Sequence, residues 1–85
     1  MPKSVFTDAY KTFLDVLIQA RKDAGVTQVE LAERLGKPQP WVSNIERGIR
    51  RVDVIEFIAI CRVIDAKPEV LINYVLSKYP NNIHV

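Results

Sequence analysis

Apolar residues recur at three- and four-residue steps through most of the chain, and no stretch alternates with the two-residue period of a strand. Phe6, Tyr10, Phe13, Leu14, Leu17 and Ala24 fall on one face, which predicts a first helix ending before Gly25. Either Ser4 or Thr7 supplies its capping hydroxyl. Thr27-Gln28-Val29-Glu30 is a capping box, in which hydroxyl and carboxylate each accept from the other residue's amide, so a second helix starts there. Leu31, Ala32 and Leu35 are its inward positions, and Gly36 ends it. A third helix opens on Pro38 and Pro40, whose missing N–H groups cost nothing in a first turn. Val42 and Ile45 turn it toward the core, leaving Gln39, Ser43, Asn44 and Arg47 outward. Asp53 with Glu56 starts a fourth, whose predicted buried stripe is Val54, Phe57, Ile58, Cys61 and Ile64. Pro68 starts a fifth, which ends by Pro80. Gly25, Gly36 and Gly48 each stand where a helix stops, 11 and 12 residues apart, so the helices between them are short. The expected fold is all-α: one domain over residues 1–85, a bundle of five short helices.

Composition narrows the function. With 85 residues and 48% hydrophobic content, the chain has the make-up of one small globular unit. Its longest apolar run, Phe57–Cys61, is too short to span a membrane. Met1-Pro2-Lys3-Ser4 leads into no signal stretch, and one cysteine suits a reducing compartment, so the expected location is cytoplasmic. Net charge is +2, but Arg34, Lys37, Arg47, Arg50 and Arg51 against Glu46 give residues 34–51 a local +4, leaving −2 on the rest. A basic stretch on a mildly acidic body outlines an anion binder. No nucleophile stands with a base at recognisable spacing, and there is no glycine-rich phosphate loop or carboxylate–histidine cluster, so no enzyme, cofactor or metal is expected. His84 lies in the terminal tail without partner ligands, and Cys61 belongs to an apolar stripe. The length leaves no room for a ligand-sensing domain, so no small-molecule ligand is expected.

Residues 28–47 carry the specific pattern. Alanine is the fifth residue (Ala32), glycine the ninth (Gly36), and apolar residues hold the fifteenth (Val42) and eighteenth (Ile45). Two helices crossing over a tight turn need a small side chain at the crossing and glycine in the turn; the apolar pair then seats the second helix with its opposite face outward. A helix so presented fits the DNA major groove. The run from Val26 to Gly36, continued by Gln39-Pro40-Trp41-Val42-Ser43-Asn44-Ile45-Glu46-Arg47-Gly48, resembles the Cro/C1-type (XRE-like) helix-turn-helix family, which includes the lambdoid phage repressors. The resemblance covers about Leu17 to Leu71 and implies a lambda-repressor-like DNA-binding domain.

The resemblance assigns roles. Gln39, Pro40, Ser43 and Asn44 occupy the base-reading face of helix 38–47. Gln28 matches a phosphate-binding position at a helix start. Arg47, Arg50 and Arg51 match the backbone-holding loop, with Lys37 and Trp41 beside them. Arg21 and Glu46 match an ion pair tying the first helix to the third. Two departures stand out: Pro38 replaces the usual capping hydroxyl, and Pro40 a small polar residue, so the base code does not carry over. For Trp41, contact with the DNA backbone and service as a half-buried anchor remain alternatives. For Arg50 and Arg51, phosphate contact is weighed against a solvated loop.

Glu69 to Tyr79 holds seven apolar residues of eleven. A helix so apolar needs burial on more than one side, so segment 68–79 is the expected homodimer interface, with Ile72, Val75, Leu76 and Tyr79 at its centre. The alternative cover is the chain's own tail, residues 81–85. The expected function is a dimeric, sequence-specific repressor or autoregulator acting on an inverted-repeat operator. The alternative is a module using the same fold to bridge other proteins. Phage regulator, restriction–modification controller and antitoxin-like roles stay open.

Overall fold

The computed structural model describes residues 7–85, so Ser4 and Phe6 lie outside the described residues. Five helices follow in order: α1 (Asp8–Asp23), α2 (Gln28–Leu35), α3 (Gln39–Glu46), α4 (Val54–Val63) and α5 (Pro68–Lys78). No strand occurs among the described residues. Thr7 caps α1, its hydroxyl accepting from the Tyr10 amide at 3.2 Å. The α2 capping box is complete: the Glu30 amide donates to Thr27 Oγ1 at 3.0 Å and the Thr27 amide to Glu30 Oε1 at 2.9 Å. These bonds hold the Glu30 carboxyl below its ordinary pKa. A second box, Asp53 with Glu56, starts α4.

The turn between α2 and α3 is tight. Gly36 adopts φ 69°, a left-handed conformation that side chains resist, and the Lys37 amide reaches back to the Ala32 carbonyl at 2.9 Å. Helix α4 ends without glycine: Asp65 takes the left-handed position at φ 56°, a role that aspartate tolerates better than most residues.

Leu17, Val26, Leu31, Ala32, Val42, Phe57, Ile60, Cys61, Ile64 and Leu71 form the core. Ala32 sits buried at the crossing of α2 and α3, as the small residue there requires. The α4 stripe differs from the expected one. Val54 is 69% exposed, Ile58 is half-buried, and Ile60 is buried instead. Phe57, Ile60, Cys61 and Ile64 make a single arc at three- and four-residue steps, whereas Val54, in the first turn, overhangs the end of the core. On α1, Ala24 is exposed at the C-cap and Arg21 takes the buried position that continues Leu14 and Leu17. Cys61 is wholly buried, which pushes its thiol up to about 11.

Helix α5 packs on α1 and α4. Leu71 is its buried residue, and the Tyr79 hydroxyl, at the C-cap, shares a 3.2 Å hydrogen bond with Thr12 of α1. Val70, Ile72, Tyr74 and Leu76 stay exposed. The tail residues Ile83, His84 and Val85 line a groove of about 300 Å³ with Ile72, Val75 and Leu76, yet Leu76 remains 52% exposed. The tail therefore leaves much of α5 uncovered.

Candidate nucleic-acid interface

The second helix of the helix-turn-helix is held at both ends. Its far end is fixed by Arg21, whose Nε and Nη2 donate to Glu46 Oε2 and Oε1 at 2.7 and 3.0 Å, and whose Nη1 donates to the Val26 carbonyl at 2.8 Å. Both side chains of the pair are only 9% exposed. The same Glu46 Oε1 accepts from Gln28 Nε2 at 2.8 Å, and Gln28 Oε1 accepts from Gln39 Nε2 at 2.8 Å. A hydrogen-bonded line thus runs from the buried Arg21 to Gln39 at the exposed start of α3. The bond to Gln28 uses one amide hydrogen of Gln39 and leaves its carbonyl and second hydrogen to face a ligand.

Along α3, Gln39 and Pro40 are exposed, while Ser43 and Asn44 are half-exposed. Ser43 Oγ donates to the Pro40 carbonyl at 3.3 Å. The Asn44 carbonyl accepts from the amides of Ile49 and Arg50, closing the end of the helix onto the following loop. Helix α3 is bounded by Pro38 as N-cap and Arg47 as C-cap, and no side-chain hydrogen bond caps its start.

The basic residues are arranged unequally. Lys37 and Arg47 are exposed. Trp41 is half-buried against the core, with Lys37 Nζ 5.5 Å and Arg50 Cζ 5.0 Å from its ring centroid. Arg50 is gripped by Glu56: Nη1 and Nη2 donate to Oε1 and Oε2 at 3.0 and 2.8 Å. That guanidinium, helped by the Asp53 amide, holds the Glu56 carboxyl down to about 2 and keeps it ionised at physiological pH. The Arg51 guanidinium lies 4.3 Å from the Tyr10 ring centroid, and the Tyr10 hydroxyl accepts from the Val52 amide at 3.1 Å.

The residues singled out from the sequence at α3 and its flanks therefore share one region, while Ile72, Val75, Leu76 and Tyr79 belong to α5. Two features escaped the sequence: the Gln28–Gln39 bond and the grip of Glu56 on Arg50. Both join elements through loop geometry. The one available signal was Glu56 at the third position of a capping box, a role that leaves its second oxygen unassigned.

This architecture defines a helix-turn-helix protein. The helix-turn-helix family profile matches residues 17–71. Among solved structures, an XRE-family like protein from Pseudomonas syringae pv. tomato str. DC3000 is 47% identical, with a TM-score of 0.81 over 85% of this chain and 88% of that one. Comparison with curated proteins gives no match. The chain belongs to the Cro/C1-type, or XRE, helix-turn-helix family. It is a DNA-binding transcription regulator of a family that is regulatory rather than enzymatic. Among the described residues, no helix is long and apolar enough to cross a membrane, and no group of His, Cys, Asp or Glu could hold a metal ion.

Proposed function

We propose that the protein is a sequence-specific repressor or autoregulator that binds an inverted-repeat operator as a homodimer, with α3 of each copy in a major groove. The observation that carries this reading is the line Arg21–Glu46–Gln28–Gln39. It holds an amide at the exposed start of α3, with an N–H left to donate to N7 of adenine and a carbonyl left to accept from its N6 amino group. Ordering a glutamine side chain costs entropy on binding, and a side chain ordered beforehand is spared that cost. Asn44 offers the same chemistry farther along the helix, Ser43 a hydroxyl, and Pro40 an apolar surface for a thymine methyl.

Phosphates are then met on the flanks by Gln28, Lys37, Arg47 and Arg51 and by the edge of Trp41, which set affinity and register without reading sequence. The uncovered apolar residues Ile72 and Leu76 of α5, with Val75 and Tyr79 beside them, support a two-fold interface. Occupying an operator is itself enough to block a promoter, so DNA binding of this kind suffices for repression.

Replacing Gln39 by alanine tests the readout. Binding to the preferred operator should weaken by about 1–3 kcal/mol and preference should relax at one base position, with random duplex bound as before. Equal losses on both duplexes would remove Gln39 from base reading.

A further inference from the structure

Arg50 is one of three arginines that the family pattern places against phosphate, yet its guanidinium, on a side chain 41% exposed, is turned toward Glu56. Its two terminal nitrogens donate to the two oxygens of Glu56, Nη1 is also 3.2 Å from the Arg51 carbonyl, and its Cζ lies over the Trp41 ring, 5.0 Å from the centroid. Glu56 is itself pinned, since its amide donates to Asp53 Oδ1 at 2.7 Å and its Oε1 accepts from the Asp53 amide at 3.0 Å. The start of α4 is thereby joined, through Arg50, to Trp41 in the first turn of α3.

That junction meets the start of α3, which no side-chain hydrogen bond caps. Its N-cap is Pro38, which has no hydroxyl to hold the first turn. The first turn carries Gln39 and Pro40, two of the four base-facing residues. Trp41 packed on the core and covered by Arg50 fixes this turn from the inner side, while Gln28 fixes Gln39 from the outer side. A guanidinium held by two bonds suits this task, since bidentate bonding to a carboxylate sets its orientation while its charge is attracted to the indole ring.

We infer that Glu56 and Arg50 are positioning residues for DNA binding: the pair clamps Trp41 and so sets the start of the reading helix, with the Arg50 charge paired to Glu56 rather than to a phosphate. This inference rests on the DNA-binding reading above and assigns Arg50 a different task from its basic neighbours.

The two roles for Arg50 predict opposite results. The test uses the full chain, the variants Glu56→Gln, Arg50→Ala and the double variant, and duplex DNA titrated at several salt concentrations. Glu56→Gln keeps an oxygen to accept from the Asp53 amide, so the α4 cap survives. Under the clamp, each single change weakens operator binding by about tenfold, and the double variant is no worse than either single because the two residues act as one unit. The salt slope stays at the wild-type value throughout. Trp41, the one tryptophan of the chain, gives a signal independent of DNA: its emission should change in the same direction in both single variants. If Arg50 instead binds phosphate, Arg50→Ala flattens the slope by about 0.9 and Glu56→Gln, by releasing the arginine, tightens binding; either result overturns the clamp. So do additive losses or an unaltered Trp41 emission. Should Glu56→Gln prove unstable in melts, Arg50→Lys keeps the charge, loses the two-bond grip and must show the same loss at unchanged slope. Failure of the wild-type chain to bind any duplex would instead remove the DNA-binding reading, and the Trp41 emission would still report whether the clamp forms.

Discussion

Arg21→Ala should destabilise the fold by about 3–5 kcal/mol, because it strands the Glu46 carboxylate in a place made for an ion pair. The guanidinium is buried to 8% exposure, and it makes three bonds, two to Glu46 and one to the Val26 carbonyl that opens the turn before α2. Removing it leaves a charge and a carbonyl with poor access to water, and both costs fall on a domain whose stability is marginal. In a chain of this size the loss lowers Tm by well over about 10 °C. Operator binding by any remaining folded protein should also fall, since Glu46 then no longer holds Gln28 in a fixed place. Thermal melts followed by circular dichroism measure the effect. A change below about 2 °C would show that the pair contributes little to holding α1 against α3.

Leu76→Glu should abolish high-affinity operator binding while leaving the fold intact. Leu76 is 52% exposed, so a carboxylate there meets water in a single chain. Across a two-fold interface it meets its own symmetry mate, or an apolar surface, and the interface fails. Two linked half-sites bind more tightly than one by about 10²–10⁴-fold without any new contact, and that factor is what the variant forfeits. Sedimentation equilibrium should find wild-type dimers and folded variant monomers, the latter still holding a single half-site weakly. Val75 is a poorer place for the charge, being half-buried beside α1, where a substitution would disturb folding and assembly together. A wild-type chain that stays monomeric at tens of micromolar, or a variant with undiminished operator affinity, would contradict the interface.

How much of this was legible in the sequence depends on how local the cause is. Both capping boxes, the left-handed Gly36 and the small residue at the crossing were readable, because each is decided by residues within a turn of one another. The five helices follow from the same local signals. The inward arc of α4 was not readable: Val54, Ile55, Ile58 and Ile60 are all apolar, so periodicity alone leaves the arc free to rotate by a residue. Packing against Leu17, Leu31 and Leu71 chooses Ile60 over Val54. The end of α4 was missed because Asp65 stands where the other turns have glycine.

At the interface the same division holds. The sequence pattern places Gln28, Gln39 and Arg50 near DNA from the order of residues along the family motif. It does not show that Gln28 and Gln39 bond to each other, nor that Arg50 is turned toward Glu56, because each partner is supplied by a different element. Charge counting treats all arginines of the basic stretch as equivalent. Their side-chain partners distinguish them, with Arg50 at 2.8 Å from a carboxylate and Arg47 exposed at the end of α3.

The most direct test of the account is selection of bound duplexes from a random DNA pool by the wild-type chain. The pool should become enriched in an inverted repeat whose half-sites lie about 10 base pairs apart, centre to centre, or a multiple of that spacing. The selected duplex should be bound at least about 10³-fold more tightly than a scrambled one at the same salt concentration. A pool that converges on no sequence, with selected and scrambled duplexes bound alike, would contradict sequence reading by α3.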